Sequence, residues 1–275
     1  MAEPVRFTLV GGPTLLIEVE GFRLLTDPTF DDPGVYDLGA VRLEKRTGPA
    51  MAPEALGPVD AVLLSHDQHA DNLDRSGRAF LAGVGSVYTT PEGARRLGRG
   101  TGLGTWEQAL LQGGGGRSLV VTATPARHGP AGIEPISGPV TGFVVSTPDQ
   151  RDLVYVTGDT VWWEGTAEVA RRFHPSVVVM FTGRAQTRGP FHLTMDGNDA
   201  LEVAQAFPGA RLIGIHNEGW AHFTESAADL ERAFAILGQG ERLLVVERGR
   251  TVELPSLRGN GSLEEADLGS AHGAA

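Results

Sequence analysis

Four segments of this 275-residue chain share one pattern: a run of Val, Leu and Ile ends, and an ionisable residue soon follows. AVLLS leads into His66, VVTATPAR into His128, LVYVTG into Asp159 and LIGI into His216. A buried strand has no structural need for polar groups at its end, whereas a site built along one sheet edge requires them. The densest group is Ser65-His66-Asp67-Gln68-His69-Ala70-Asp71-Asn72-Leu73-Asp74. Two imidazoles and several carboxylates in one short loop can converge on a cation such as zinc, manganese or iron. A plainer reading has His66 and His69 bonded to backbone, with Asp71 and Asp74 capping the next helix. The three later strand ends favour the metal. The chain has no Cys, so thiol catalysis, disulfides and Cys-based zinc sites are excluded, and any ion must be held by His, Asp, Glu or Asn.

The elements that must position these residues alternate between strand and helix. Residues 5–10 and 14–19 read as extended, and Glu20-Gly21 turns the chain into the strand-like GFRLLTDP, a hairpin opening. Further strands are expected at 61–64, 118–124, 141–147, 152–157, 176–181, 211–215 and 243–253. Helices are expected at 164–173, 197–206 and 225–237, with another beginning near Asp74 as its N-cap. Gly98 to Gly116 is glycine-rich, ends in four consecutive glycines, and reads as a flexible connection or hairpin tip. Many strands with helices between them fit an α/β chain of two face-packed sheets with helices outside. Residues 1–255 read as one domain, and the small, polar residues 256–275 as a disordered tail.

The hydrophobic fraction is 41%, ample for a sizeable core, and the net charge of −11 comes without any Lys/Arg run. Such a surface repels phosphate backbones, so no nucleic-acid partner is expected. No apolar run reaches the roughly 20 residues of a spanning helix, so no membrane insertion is expected. The opening MAEPVRFTLVGG has no basic segment followed by an apolar stretch, so a cytoplasmic protein is expected.

The order His66/His69/Asp71, then His128 in TPARHGP, Asp159 in YVTGDT and His216 in IGIHNEGWAHF resembles the metallo-β-lactamase superfamily. The branch resembled is that of ascorbate-6-phosphate lactonase and N-acyl-phosphatidylethanolamine phospholipase D. The likeness extends to GPTLLIEVEGFRLLTDP and LTMDGNDALEVAQAF and covers most of residues 8 to 235. It implies a four-layer αββα sandwich. The family motif is HxHxDH, whereas this chain reads HxxHxDN: Gln68 stands where a strict HxH places the second ligand, and Asn72 where the last His is expected. Either Gln68 or His69 is then the second ligand.

The resemblance implies a metal ligand set of His66, His69, Asp71, Asn72, His128, Asp159 and His216, holding one or two divalent ions, with zinc ahead of manganese or iron. The neutral amide of Asn72 is a weaker ligand than imidazole, so one ion is the central expectation. It also implies hydrolysis of a small-molecule lactone or phosphodiester by metal-activated water. Asp71 could orient that water, and Asp159 could bridge two ions or cap a helix. His222 and His192 are candidate proton donors or packing residues, while His174 and His272 read as structural or tail residues. Trp162, Trp163, Trp220 and Phe223 could line the pocket or the core. Arg127 and Arg184 could attract an anion, and Asp27 could support the ligands or shape a turn. The competing expectation is a metal- or ligand-binding protein with an impaired site, for which Gln68 and Asn72 speak. A homo-oligomer is compatible with the branch, although no residue argues for one.

Overall fold

The computed structural model describes residues 4–37, 39 and 41–257. Three strands, β1 (Val5–Gly11), β2 (Thr14–Val19) and β3 (Phe22–Thr26), form an antiparallel meander. A separate antiparallel ribbon follows, β4 (Gly34–Asp37) and β5 (Arg42–Lys45). The chain then adds β6 (Ala61–Leu63), helix α1 (Arg75–Phe80), β7 (Ser86–Thr89), α2 (Pro91–Leu97) and β8 (Thr101–Gly102). The second sheet begins with β9 (Gln108–Gln112) and β10 (Ser118–Pro125), and continues past the short α3 (Glu134–Ser137) into β11 (Thr141–Ser146) and β12 (Asp152–Val156). Helices α4 (Glu164–Arg172), α5 (Gly197–Ala206) and α6 (Ala227–Ile236) lead into β13 (Val177–Phe181), β14 (Arg211–Ile215) and β15 (Leu243–Leu244) in turn. The last strand, β16 (Thr251–Leu254), returns to pair with β1.

Both large sheets have seven strands, in the orders β16-β1-β2-β3-β6-β7-β8 and β15-β14-β13-β12-β11-β10-β9. Their central strands, such as β6 and β13, read as unbroken apolar runs because each face is covered. Leu15, Ile17, Ala61 and Leu63 point inward and meet Val121, Phe143, Val154, Val179 and Ile213 of the other sheet. Their neighbours Leu16, Val62 and Leu64 point the other way, onto Leu73 and Leu81 beside α1. In the second sheet Tyr155, Val178, Met180 and Leu212 pack on Val169 of α4, Val203 of α5 and Phe234 of α6. Helix, sheet, sheet, helix is the expected four-layer αββα sandwich.

Two expectations need correction. Gly98–Gly116 is not wholly a loop: it holds β8 and all of β9, and only residues 113–116 form the hairpin tip. In β9 only Leu111 is buried, so the edge strand left little periodic signal. The single strand expected at 243–253 is two strands in different sheets. After Leu244 the chain turns through Glu247–Arg250, where Gly249 has φ 79°, and crosses to β1. The expected tail lies almost entirely outside the described residues, as does His272.

Candidate metal centre

Strand direction explains why distant segments meet. β12, β13 and β14 run parallel, and β10 is antiparallel to β11, which is antiparallel to β12. β10, β12 and β14 therefore all end at the same edge of the second sheet, delivering His128, Asp159 and His216 there. In the first sheet β3 and β6 are parallel, so Asp27 and the loop opening at Ser65-His66 also leave from one edge.

At this edge His66 Nε2 lies 2.9 Å from His69 Nδ1, and His128 Nε2 lies 3.2 Å from the same atom. Asp159 Oδ2 is 3.8 Å from His66 Nε2 and 3.5 Å from His128 Nε2. Imidazole nitrogens about 2.05 Å from a tetrahedral ion stand about 3.3 Å apart, close to this spacing. Hydrogen bonds among the rings do not account for the convergence. His128 Nδ1 is 2.8 Å from Leu193 O, a pure acceptor, so Nδ1 carries the proton and Nε2 a lone pair. Ser65 Oγ is 2.7 Å from the Asp27 carboxylate and 2.8 Å from His66 Nδ1. With its hydroxyl hydrogen donated to Asp27, Oγ accepts from Nδ1–H and leaves His66 Nε2 as a second lone pair. A proton on His69 Nδ1 can serve only one of the two facing atoms. A cation serves all three.

A second group, Asp71, Asp159 and His216, adjoins the first through Asp159. His216 Nδ1 is 2.9 Å from Asp159 Oδ1, and His216 Nε2 is 3.7 Å from Asp71 Oδ2. His216 holds a left-handed φ of 57°, a strained conformation for a non-glycine residue. Its carbonyl would lie 2.2 Å from a Cβ at Gly183, so only glycine fits there.

Both Asp159 oxygens, both His216 nitrogens, Asn72 Oδ1 and His222 Nδ1 are buried without a well-aligned hydrogen bond, the 2.9 Å approach of His216 to Asp159 included. So many orphaned polar atoms in one place cost stability unless an ion satisfies them. The electrostatics agree. Burial first, then neighbouring imidazoles, push His66 well below the usual histidine range and His69 down to about 4, so both are neutral ligands at pH 7. Burial works to raise Asp71 and Asp159, but the surrounding histidines outweigh it and hold both carboxyls low. His216 moves up: burial opposes protonation, but Asp159, Asp71 and Asp27 together prevail. Asp27, driven mainly by burial against the Ser65 bonds, rises to about 7. The donor set therefore fits a divalent cation.

Comparison with known proteins gives the family and the fold. Residues 22–217 match the family described as "Beta-lactamase superfamily domain". The chain belongs to that family. UPF0173 protein YddR of Bacillus subtilis is 25% identical over 255 residues, spanning 90% of this chain and 99% of its own. The isothiocyanate hydrolase from Delia radicum gut bacteria superposes with a TM-score of 0.76 at 25% identity, over 91% of this chain and 100% of its own. A possible metal-dependent hydrolase from Veillonella parvula shares the fold, with a TM-score of 0.78 at 19% identity over 91% and 99% of the two chains.

In this superfamily chain the site opens into a cavity of about 410 Å³, reached by His69, Asp71, His128 and His222. Its walls are Val41 and Leu43 of the β4–β5 segment, Ile133 and residues 135–139 around α3, and Leu193. His69 and not Gln68 joins the histidine cluster: Gln68 Nε2 donates to Ser137 O and Pro139 O at 3.1 and 2.9 Å, stapling the α3 wall to the ligand loop. Asn72 donates to Asp27 at 3.3 Å. Asp159 caps no helix, since α4 begins after Trp163. His222 Nε2 lies 2.9 Å from Asp71 Oδ2.

Other candidates sit apart. His192 is not among the lining residues and is 3.1 Å from Asp199. Arg127 lies over Trp163, and Arg184 faces Asp196 and Glu225. Phe223 packs edge-on to His216 and Trp220 against Tyr36, so neither lines the cavity. Trp162 packs on the outer core. His174 is exposed. Sequence reasoning missed Lys45, which lies 2.9 Å from Asp74 with both side chains buried. Its signal was available: it is the only lysine in the chain.

Proposed function

We propose that this protein is a metal-dependent hydrolase of small molecules. It holds one divalent ion through His66, His69, His128 and Asp159, with a weaker second position at Asp71, Asp159 and His216. The observation that carries the reading is the set of three imidazole nitrogens, two with tautomers fixed from behind, converging within 3.2 Å of His69 Nδ1. When bound, a divalent ion lowers the pKa of a water to about 7 and polarises the bond under attack. Zinc suits this His/Asp set best, with manganese and iron as alternatives.

The protein's own groups supply the rest. Asp71, held ionised, is a hydrogen-bond acceptor that orients the attacking water rather than a strong base. His222, donating Nε2–H to Asp71 and facing the cavity, fixes the orientation of that carboxylate and is placed to contact the substrate. A cavity of about 410 Å³ suits a small molecule, not a polymer. A lactone or phosphodiester is the bond class suggested by the motif likeness to the lactonase and phospholipase branch. A similar structure that is an isothiocyanate hydrolase adds a carbon–heteroatom double bond to the panel worth testing.

The test is metal per chain by plasma mass spectrometry on tag-free protein, with turnover of an aryl lactone, a bis-aryl phosphate and an aryl isothiocyanate. One equivalent of metal and chelator-sensitive turnover are expected, with a second equivalent in Asn72→His. Absence of metal after reconstitution would sink the hydrolase and promote a binding protein with an impaired site.

A further inference from the structure

We infer that the cavity accepts substrates with an apolar body and an anionic oxyanion group, and that Arg188 binds that group. This rests on the hydrolase reading for its relevance to turnover, but the binding it asserts can be measured separately.

The cavity has two guanidiniums, from Arg96 and Arg188, and an apolar part of its wall formed by Val41, Leu43, Ile133, Ile136 and Leu193. The two cations are not equivalent. Arg96 Nε donates to both oxygens of Asp67 at 3.1 and 3.0 Å, and its Nη2 donates to Asp67 and to Gln68 Oε1. Its charge is matched and its fork is occupied, so it is part of the wall. Arg188 makes no side-chain hydrogen bond and no ion pair among the described residues. The one acid lining the cavity, Asp71, is engaged by His222 Nε2 at 2.9 Å, and beyond the lining Asp196 and Glu225 face Arg184 and Asp199 faces His192. An unpaired guanidinium on a cavity wall is notable in a chain where 34 acidic residues face 23 basic ones.

The loop that carries Arg188 is tethered at its base. Its segment is closed at the base by Leu193 N donating to Ala185 O at 2.8 Å and Gln186 N donating to His222 O at 3.0 Å. Pro190 fixes one φ two residues on. The same frame carries His222 and, through Leu193 O, orients His128. A ligand engaged by Arg188 is thereby indexed to the reacting centre. A guanidinium presents two parallel N–H donors, which match a carboxylate, sulfonate or phosphonate and not a neutral ester tail.

The probes are 4-phenylbutane-1-sulfonate, whose sulfonate is a poor metal ligand, and its neutral methyl sulfone. Both are titrated calorimetrically into the metal-loaded protein. The sulfonate should bind on the order of tenfold tighter than the sulfone. Arg188→Ala should erase that preference at an unchanged melting temperature, because the side chain is exposed, and Arg188→Lys should keep part of it. The matching carboxylate and phosphonate then show which oxyanion is preferred. Equal binding of sulfonate and sulfone, no binding of either, or a preference that survives in Arg188→Ala each overturn the inference. Sulfonate preference through Arg188 in a protein that hydrolyses nothing refutes the hydrolase alone. Hydrolysis without any charge preference refutes this inference alone.

Discussion

Replacing Ser65 with Ala removes one oxygen from the buried chain Asp27–Ser65–His66, whose links are 2.7 and 2.8 Å. His66 is fully buried, so its Nδ1–H loses its acceptor with no water to replace it. Leaving such a donor unsatisfied costs about 1–3 kcal/mol. The proton can escape that penalty by moving to Nε2, the atom 2.9 Å from His69 Nδ1, which must be unprotonated to hold a metal. Loss of a partner behind a ligating imidazole typically weakens metal binding about 10- to 100-fold, or about 1.4–2.8 kcal/mol. We expect Ser65→Ala to lose zinc affinity within that range in competition with a chromophoric chelator, and Ser65→Thr, which keeps the hydroxyl, to recover most of it. Melting both variants in excess chelator separates apoprotein stability from affinity. An affinity for Ser65→Ala within twofold of wild type would refute the argument that this hydroxyl sets the His66 tautomer.

Lys45→Met should destabilise the fold by about 3–5 kcal/mol in urea unfolding, because Asp74 keeps a buried charge without its partner. Adding Asp74→Leu should restore part of the loss but uncap α1, whose Gly77 N lies 2.7 Å from Asp74 Oδ1; no difference between Lys45→Met and wild type would remove the pair from the account. His69→Ala should abolish stoichiometric metal binding by mass spectrometry. Gln68→Ala should keep the metal and raise KM several-fold, since it frees the α3 wall; the reverse pattern would make Gln68 the ligand.

Much of the site was legible in the sequence because its residues follow buried strands, and such runs declare themselves by composition. His66, Asp159 and His216 each stand within three residues of an apolar run and His128 three residues past the end of β10, and any fold that gathers strand ends gathers them. The layers were legible for the same reason: Val177 to Phe181 is apolar at every position, which only a strand covered on both faces requires. The β4–β5 ribbon and edge strand β9 were not legible, since half or more of their residues are exposed and their pairing depends on distant neighbours.

The tertiary structure alone decided between Gln68 and His69, because HxxHxDN does not say which side chain the loop turns inward. Gln68 is drawn away by two carbonyls about 70 residues on, at the end of α3 and just past it, contacts that local sequence does not encode. It also separated Arg188 from Arg127 and Arg184. All three are the same residue type in sequence, and what distinguishes them is whether an acid or an aromatic ring from another segment has already claimed the charge. Residue type and strand order thus determined which chemistry was available, and long-range packing decided which atoms face it.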